Sequence, residues 1–401
     1  MSRHYDVAAI RRQFPVTERM LYLDSAHQTP LAISVREALL GFYREGLETA
    51  GPKPVWLDRI EQVRARVAKL LNVAPAEIAF TKNTSEGMNI AANALPLTAG
   101  DNVLLVEGDH PNNAYAFLNL RRKGVEVRFV PMTGETARAE MFAPHIDART
   151  RAISLSHVTF HAGHRFDVDG VGALCAQKGL YFVIDAMQST GVIPLDAGAS
   201  GASLIGSGCH KGLLVPQGLG ILYCRQGLDE LQPAYLAMSS LAHPPSDYIA
   251  RADNMTPKAG AGRFEIGNLN LPDIHALDAS LALIESVGLS AIEAHLHDLG
   301  DRLIERMDDL GIRLVGPRNR ADRSPHIYVL DLRADEWADY LASRNVRVSP
   351  ERDGIRISFG LFNIAEDVDQ LARILAERGT LPARPPEHRD EAPASFKSII
   401  A

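Results

Sequence analysis

Cysteine is scarce in this chain of 401 residues, which contains three: Cys175, Cys209 and Cys224. No two of them form a CxxC pair or a zinc-finger spacing, so the sequence offers no cysteine-based metal site. A low, odd number of cysteines also argues against a disulfide framework and fits a reducing compartment. We therefore expect a cytoplasmic protein.

Long apolar runs and runs of positive charge are missing as well. No segment approaches the roughly 18 consecutive apolar residues of a membrane span, and the start, Met1–Asp6, lacks the apolar core of a signal peptide. The net charge is −7, from 42 basic and 49 acidic residues. A mildly acidic chain without a basic run is a poor partner for nucleic acid or an anionic membrane. We expect neither as a partner.

The pattern of apolar runs predicts the fold class. Hydrophobic residues make up 46% of the chain, and its length allows two domains at about 100–200 residues each. Short apolar runs alternate with helical patterns over most of the chain, and the clearest runs are Val103–Val106, Val125–Val130, Ala152–Ser156 and Gly220–Tyr223. Such alternation predicts an α/β fold, with a mostly parallel sheet flanked by helices.

A smaller C-terminal α+β domain is predicted after this region. A helical stripe of apolar residues leads into it, followed by two strands and a last helix. These elements are the stripe Ile274, Leu277, Leu281 and Ile284, the strands Ile327–Leu332 and Gly354–Ser358, and the helix Asp367–Leu375. The expected divisions are an N-terminal helix that packs with the small domain (1–19), a large domain (20–275), a small domain (276–380) and a loosely ordered, proline-rich tail (381–401).

Asp185 and Lys211 are the residues that first indicate a chemistry. Asp185 ends the apolar run Tyr181–Asp185, which follows Gly179 and is typical of a buried parallel strand. The acid is therefore expected at the carboxyl end of a strand, where open α/β sheets bind ligands. A second run, Ala202–Gly206, brings Lys211 into the same region. Pyridoxal phosphate chemistry requires this pair, because a lysine forms the Schiff base and an acid keeps the pyridine nitrogen protonated. A surface lysine and an ordinary strand-end aspartate are the alternative.

Hydroxyl residues precede a second helical stretch. The segment Thr81–Gly87 follows the apolar run Ile78–Phe80 and leads into Met88–Ala94. Hydroxyls at the start of a helix, beside free backbone N–H groups and the positive end of the helix dipole, form an anion site. Thr84 and Ser85 are therefore candidate anion ligands, and a simple helix N-cap is the alternative.

Two motifs carry a resemblance to a known family. Asp185–Ser189, followed by Ser207–Lys211, resembles the cofactor core of fold-type I pyridoxal phosphate enzymes. Within them the chain is similar to the class V aminotransferases, which include cysteine desulfurases, selenocysteine lyases, kynureninases and isopenicillin N epimerase-like proteins. The resemblance extends from Tyr22–Ala26 to Arg356. It implies pyridoxal 5'-phosphate as the cofactor and a large domain joined to a smaller C-terminal one.

The resemblance also implies a role for each residue around the cofactor. The residues expected at its phosphate are Thr84, Ser85, Ser207 and His210, and those expected at its ring are Asp185 at the nitrogen, Gln188 at the phenolic oxygen and His110 stacked on the ring face. Asn268 stands where most relatives carry a threonine that reaches the phosphate from a second subunit, and an amide can also donate a hydrogen bond. The expected functional unit is therefore a homodimer with shared active sites.

The substrate end of the site is expected to bind a carboxylate. Arginine suits this task because its planar fork binds a carboxylate through two N–H groups. Arg356 matches the carboxylate-binding arginine of the family, while Ser25, Ala26 and His27 lie on the N-terminal loop that faces the substrate in relatives. The alternative for Arg356 is a strand arginine that points to solvent. A small α-amino acid is the expected substrate.

The reaction is less determined than the cofactor. The resemblance implies that the amino acid forms an external aldimine and that the freed amine of Lys211 removes the Cα proton. A lyase or a transaminase is expected, with an epimerase as the alternative. Cysteine desulfurases carry a nucleophilic cysteine shortly before the carboxylate-binding arginine, and the corresponding stretch, Ala342–Asp353, contains none. We therefore predict an enzyme that is not a persulfide-forming cysteine desulfurase.

Two alternatives belong to other functional classes. His157, His161 and His164 lie within eight residues, as in some metal-dependent hydrolases. However, this segment follows a strand and continues into Gly163, so it is predicted to be a loop, and no acidic residue completes a zinc signature. No metal is expected. The other alternative is a scaffold without a cofactor, against which the combined motifs argue.

Overall fold

The computed structural model of the chain describes residues 5–132 and 138–379, so the predicted tail, 381–401, lies outside the described residues. Contacts divide the chain into two compact units. The larger unit comprises Leu31–Phe160 and Arg165–Ser290, and the smaller unit comprises the chain up to Pro30, His161–His164 and the chain from Ala291 onward.

Helices and strands alternate along most of the described chain. The helices are α1 (Val7–Arg12), α2 (Ile33–Glu48), α3 (Lys53–Leu70), α4 (Thr84–Ala94), α5 (Pro111–Leu118), α6 (Val168–Lys178), α7 (Leu271–Val287), α8 (Leu289–Asp309), α9 (Ala334–Ser343) and α10 (Ala365–Arg378). The strands are β1 (Leu21–Tyr22), β2 (Ile78–Thr81), β3 (Asn102–Val106), β4 (Glu126–Val130), β5 (Thr150–Ser156), β6 (Tyr181–Asp185), β7 (Leu204–Gly208), β8 (Gly220–Cys224), β9 (Leu314–Val315), β10 (Ile327–Leu330), β11 (Val346–Arg347), β12 (Ser349–Glu351) and β13 (Gly354–Ser358).

The larger unit is built on a seven-stranded sheet in the order β2-β8-β7-β6-β5-β3-β4. Strands β7, β6, β5, β3 and β4 are parallel to one another, whereas β8 is antiparallel to both of its neighbours, β2 and β7. The expected α/β fold with a mostly parallel sheet is therefore confirmed. Because parallel strands end at the same edge of a sheet, the residues that follow β5, β6 and β7 are brought close together.

Strand β6 has the bounds that its sequence predicts, Tyr181–Asp185, and all but its first residue are buried. Strand β7 differs from the prediction, because it spans Leu204–Gly208 rather than Ala202–Gly206. The strand continues through Gly206 and Gly208 because both pair with β8, at Leu222 and Gly220. Backbone pairing with a neighbour thus outweighs the weak strand preference of glycine.

Helix α4 packs closely on β7. A Cβ atom added to Gly87 would lie 3.4 Å from the Cα of Gly206, and one added to Gly206 would lie 3.0 Å from the Met88 sulfur. Two glycines therefore face each other where the helix meets the sheet. This close approach brings the first turn of α4 beside the end of β7.

The smaller unit contains a four-stranded antiparallel sheet in the order β12-β13-β10-β9. Strands β1 and β11 form a separate parallel pair. Asp24, which follows β1, makes a parallel bridge to Ser358 at the end of β13. The N-terminal loop after β1 is thereby attached to the strand that contains Arg356.

Helix α7 belongs to the larger unit in this division, whereas the sequence-based boundary falls inside it, between residues 275 and 276. The helix packs against α2 and α3, and Arg66 of α3 forms ion pairs with Asp278 and Glu285 of α7. Within the described ranges no single helix is long and apolar enough to cross a membrane, and α7 and α8 pass that test by length and composition only as a pair.

Candidate active site

A cavity of about 220 Å³ lies in the larger unit, at the carboxyl ends of the parallel strands. Its lining combines an amine, a carboxylate, amides, hydroxyls and imidazoles. The lining residues are Asn83, Thr84, Ser85, His110, Asn112, Ser156, Val158, Phe160, Asp185, Met187, Gln188, His210 and Lys211. Seven of the residues predicted from sequence to hold a cofactor are thus brought to one cavity.

Asp185 supplies the carboxylate of the cavity. Its side chain is buried at the end of β6, where Oδ1 accepts a hydrogen bond of 2.9 Å from the backbone N–H of Met187. The pKa of Asp185 is raised to about 7, chiefly by burial. The hydrogen bond from the Met187 N–H lowers this pKa, the Asp109 carboxylate raises it further, and the charge of Lys211 lowers it. The group is therefore a buried acid suited to a cationic partner.

Lys211 and His210 follow β7 and line the same cavity as Asp185. The backbone carbonyl of Lys211 accepts a hydrogen bond of 3.0 Å from Leu214, and this turn holds the loop after the strand. Ser207 is placed differently, since it lies within β7 and is not among the described residues that line the cavity. Its hydroxyl contacts the backbone carbonyls of Gly208, at 3.2 Å, and Ala186, at 3.4 Å.

The first turn of α4 presents its hydroxyls to the cavity. The N-cap of this helix is Asn83, whose side chain accepts a hydrogen bond of 2.9 Å from the backbone N–H of Glu86. Thr84 and Ser85 are consequently not the cap, and both line the cavity at the positive end of the helix dipole. Asn112 donates a hydrogen bond of 2.8 Å to the Ser85 hydroxyl. The anion-site interpretation therefore fits this helix start better than the N-cap alternative.

Met187 connects the first turn of α4 with the end of β7. Its sulfur accepts hydrogen bonds from the Thr84 hydroxyl, at 2.8 Å, and from the backbone N–H of Gly208, at 3.2 Å. A Cβ atom added to Gly208 would lie 2.9 Å from this sulfur and 3.0 Å from the Thr84 Oγ1. A larger residue at this point of β7 would therefore have to displace the Met187 side chain, which lines the cavity.

His110 is the N-cap of α5, and its Nδ1 accepts a hydrogen bond of 3.2 Å from the backbone N–H of Asn112. Its ring meets Phe160 edge to face at 5.1 Å. The preceding residue, Asp109, accepts hydrogen bonds from the backbone N–H groups of His110, at 2.6 Å, and Ser156, at 2.8 Å. The histidine is thus held by its own loop and by β5.

Arg356 is a buried cation of the smaller unit. Its Nη1 lies 2.7 Å from Oε1 of Glu351, and its Nη2 donates a hydrogen bond of 3.2 Å to the Ser349 hydroxyl. The same Nη2 lies 3.7 Å from Oδ1 of Asp24. Arg356 therefore points inward among two carboxylates, in contrast to the alternative of a solvent-exposed arginine.

The residues predicted to face the substrate from the N-terminal loop share the smaller unit with Arg356. Ser25 and Ala26 are buried, and His27 is half-buried. The backbone N–H groups of Ser25 and Ala26 donate hydrogen bonds to Ser358, to its carbonyl at 3.3 Å and its hydroxyl at 2.8 Å. The loop is thus fixed to the end of β13, and its substrate role stays a prediction.

Asn268 is exposed on the loop before α7, outside the set of described residues that line the cavity. Glu265 anchors this loop from three residues earlier. Its carboxylate lies 2.7 Å from Arg64 and accepts a hydrogen bond of 2.8 Å from the backbone N–H of Phe80. A buried ion pair therefore holds the segment that presents Asn268 to the surface.

The three cysteines are all buried. Burial raises the pKa of Cys175 to about 12 and of Cys224 to about 11, and it also raises the pKa of Cys209. Thiols of this kind are poorly reactive, because the thiolate is the nucleophile.

The histidines of the predicted loop are divided between the two units, with His157 in the larger and His161 and His164 in the smaller. Burial lowers the pKa of His157 to about 3 and of His164 to about 4, so both are neutral at pH 7. Across 5–132 and 138–379, no group of three or more His, Cys, Asp or Glu residues is arranged to hold a metal ion.

Several residues of these sites were not found from the sequence. Asn83 had a usable signal, because asparagine is among the preferred N-cap residues. Met187, between Asp185 and Gln188, gave none, since a methionine is usually a core residue. Glu351 lies in Ala342–Asp353, and the sequence does not show its pairing with Arg356, because that pairing depends on the turn between β12 and β13.

A family model described as "Aminotransferase class-V" matches residues 21–371. An uncharacterized protein of Schizosaccharomyces pombe is 35% identical over 95% of this chain and 90% of its own length. An uncharacterized aminotransferase of the same yeast is 32% identical over 94% of this chain and 96% of its own length. A probable cysteine desulfurase of Methanothermobacter thermautotrophicus is 28% identical over 92% of this chain and 97% of its own length.

Solved structures share the fold. A cysteine desulfurase of Thermococcus onnurineus superposes with a TM-score of 0.85 at 23% identity, covering 94% of this chain and 99% of that one. A cystine C–S lyase, solved in complex with its reaction product cysteine persulfide, superposes with a TM-score of 0.81 at 22% identity, covering 90% of this chain and 99% of that one.

These findings correct one prediction. The exclusion of a persulfide-forming cysteine desulfurase, drawn from the missing cysteine in Ala342–Asp353, is wrong, because relatives and structural neighbours carry that name. The lack of a cysteine in one loop does not by itself exclude carbon–sulfur chemistry. The C–S lyase has a small molecule, cysteine persulfide, as its product.

Proposed function

This chain belongs to the class-V aminotransferase family, and from that premise we propose that it is a lyase that breaks a carbon–sulfur bond of a small α-amino acid. It is an enzyme that depends on pyridoxal 5'-phosphate. The observation that carries the proposal is the convergence of Lys211, Asp185 and the first turn of α4 on one cavity, in a chain with desulfurase relatives.

The residues present fit this cofactor. The first turn of α4 suits an anionic phosphate, because the Thr84 and Ser85 hydroxyls line the cavity at the positive end of the helix dipole. The buried carboxyl of Asp185 suits a protonated pyridine nitrogen, which is the cationic partner that its environment favours. When bound, pyridoxal phosphate supplies an electron sink for negative charge at the substrate Cα.

The roles of the protein groups follow from this arrangement. Lys211 Nζ is the amine to hold the cofactor and, once a substrate takes its place, the base that removes the Cα proton. Asp185 holds the proton of the ring nitrogen, and Gln188 and His110 orient the ring. Thr84, Ser85 and His210 are the candidate phosphate ligands, whereas the Ser207 hydroxyl contacts the backbone carbonyls of Ala186 and Gly208.

Arg356 is the proposed ligand of the substrate carboxylate. Its guanidinium is buried in the smaller unit, in strand β13, and it matches the carboxylate-binding arginine that the family resemblance implies. A carboxylate requires such a fork for oriented binding. The preference for a sulfur-containing amino acid is supported by the desulfurases among the relatives, of which one is 28% identical over 92% of this chain.

Transamination is the second candidate. It is favoured by the relative named as an aminotransferase, which is 32% identical over 94% of this chain. A lyase and a transaminase share the removal of the Cα proton and differ in where the electron pair goes next. A lyase releases the β-substituent of its substrate, whereas a transaminase needs a keto acid to complete its cycle.

The test is to supply the cofactor-loaded protein with L-cysteine and dithiothreitol, and to measure sulfide, alanine, pyruvate and the visible absorption of the cofactor. We expect sulfide to accumulate without any keto acid, together with alanine if sulfur is transferred to a thiol, or with pyruvate and ammonia if the β-substituent is eliminated with water. The Lys211→Ala variant serves as the inactive control. Turnover that needs a keto acid identifies a transaminase. Formation of D-cysteine from L-cysteine, without either product, identifies an epimerase.

A further inference from the structure

Glu351 forms an ion pair with Arg356, the arginine that the proposed function assigns to the substrate carboxylate. The Nη1–Oε1 distance is 2.7 Å, and the Arg356 and Glu351 side chains are only 5% and 11% exposed. Such a short, buried contact is a charge-assisted hydrogen bond of the same kind that a substrate carboxylate makes. A substrate therefore meets an arginine whose Nη1 is already engaged.

Charge makes simultaneous binding unfavourable. Asp24, 1% exposed, lies 3.7 Å from the Nη2 of Arg356, and its other oxygen lies 3.3 Å from the half-exposed Arg347. Arg356 already faces two carboxylates, and a third in the same buried space lacks a counter-charge. Adding it costs more than it gains unless one of the resident carboxylates leaves.

Glu351 is the resident carboxylate that can leave. Asp24 is held by the Ser349 hydroxyl, which donates to its Oδ1 at 2.6 Å, and by its bridge to Ser358. Glu351 is instead the last residue of β12, the edge strand of the four-stranded sheet. Its other oxygen, Oε2, lies 3.5 Å from Nδ1 of His161.

His161 offers the displaced carboxylate a second position. The histidine is buried, and its Nε2 lies 2.8 Å from Oδ2 of Asp353. Rotation of the Glu351 side chain toward Nδ1 exchanges the arginine for this imidazole without moving the backbone. Asp24 and Ser349 meanwhile keep the Nη2 side of Arg356 in place.

We infer that Glu351 is a competing counter-ion that sets the affinity for the substrate: it neutralises Arg356 in the free enzyme, and the substrate carboxylate must displace it toward His161. This inference rests on the proposed role of Arg356. Glu351 touches neither the cofactor nor the reacting atoms in this scheme. It acts through Arg356, so its removal affects carboxylate binding and leaves the chemical step unchanged.

The test compares the wild type with Glu351→Gln and Glu351→Asp in the cofactor-loaded protein. Propionate, a carboxylate without an amino group, is titrated by calorimetry, and KM and kcat are measured for L-cysteine and for cysteamine, which lacks the carboxylate. For Glu351→Gln we expect propionate to bind about tenfold more tightly, the scale of one charge-assisted hydrogen bond that no longer has to be exchanged. KM for L-cysteine falls in parallel, kcat is unchanged, and KM for cysteamine is unaffected.

Two further variants separate the possible failures. Glu336→Gln makes the same substitution at another arginine-paired glutamate, 3.1 Å from Arg333, and leaves propionate binding unchanged. Arg356→Gln weakens propionate binding if the proposed carboxylate site is right. If Arg356→Gln has no effect, the proposed function of Arg356 fails.

The inference itself is overturned if Arg356→Gln weakens binding while Glu351→Gln leaves it unchanged or weakens it too, because Glu351 then only orients the arginine. Glu351→Asp, which keeps the charge but shortens the reach, is expected to fall between the wild type and Glu351→Gln. It tests the inference even if the neutral variant does not fold.

Discussion

The burial of Asp185 lowers the stability of the ionised, cofactor-free protein but favours binding of the cofactor. A carboxylate that is buried at the end of a strand resists ionisation, and the pKa of Asp185 is accordingly raised from 3.8 to about 7. The same burial makes it a strong partner for a protonated ring nitrogen once the cofactor is present. Without the cofactor, the Met187 N–H and Lys211 stabilise the ionised form, but they do not offset the cost of its burial.

This conflict predicts a pH-dependent effect of Asp185→Asn on the cofactor-free protein. The folded protein holds the proton more tightly than the unfolded chain, so raising the pH from about 4 to about 7 deprotonates the unfolded chain first and lowers wild-type stability. Above pH 7 the loss is complete, and it amounts to at most about 4 kcal/mol. We expect the variant to be more stable than the wild type at pH 8, and this advantage to shrink as the pH approaches 4.

Unfolding midpoints in urea, measured for both proteins across this range, check the prediction. A stability difference that stays the same at pH 4.5 and pH 8 contradicts it. With the cofactor bound, Asp185→Asn is expected to lose activity, because the amide cannot hold a proton on the ring nitrogen.

At the scale of single elements, helix α4 separates capping from ligand binding. The cap is made by Asn83, so the Thr84 hydroxyl is left to face the cavity, where it contacts the Met187 sulfur at 2.8 Å. Helix starts usually need their hydroxyl residues for the cap itself. Here the two tasks belong to adjacent residues and can be tested independently.

Thr84→Ala is therefore expected to weaken pyridoxal phosphate binding about tenfold, because one hydroxyl donor to the phosphate is lost. The stability of the cofactor-free protein changes little, since the cap remains. Titration of the cofactor, followed by its absorption, measures the affinity, and Thr98→Ala, which removes a hydroxyl bonded to Asp101 in an exposed loop, is the matched control. Equal affinities for Thr84→Ala and the wild type contradict the phosphate role.

The bounds of some elements could be predicted from the sequence, and those of others could not. The bounds of β6 could be predicted because an apolar run between Gly179 and Asp185 encodes a buried strand locally. Those of β7 could not, since Gly206 and Gly208 are in the strand only through pairing with β8. Seven of the predicted cofactor residues come together in one cavity because they stand in short motifs at strand and helix ends, whereas Glu351 meets Arg356 through the register of a hairpin.

At the scale of the whole molecule, the family indicates a dimer, and Asn268 is the residue predicted to serve the partner's cofactor. The loop that carries it is anchored by the buried pair of Arg64 and Glu265, and Asn268 itself is exposed. The neighbouring Ile266 is also exposed, at 40%.

Subunit mixing tests this prediction. Lys211→Ala and Asn268→Ala each impair the homodimer when alone. In a mixed dimer, the subunit that keeps Lys211 receives Asn268 from its partner, so reassorting equal amounts restores activity at about a quarter of all sites in a two-fold symmetric dimer. The measurement is activity before and after reassortment. No recovery, with a dimer seen by light scattering, shows that Asn268 does not act across the interface.

Strand β8 lies between β2 and β7 in the sheet but follows both in the chain, so the cofactor site is completed late in synthesis. The helix that begins at Thr84 follows β2, an edge strand paired with β8, and β8 also pairs with β7, whose end leads to Lys211. A ribosome that has just added Lys211 has therefore not yet made the strand that sets β2 in register with β7. The pairing of β2 with β7 through β8 is completed only after Cys224 is synthesised, so we expect nascent chains that stop earlier to bind the cofactor more weakly, although α4 already packs on β7. Full affinity for the cofactor thus marks a sheet that has been completed.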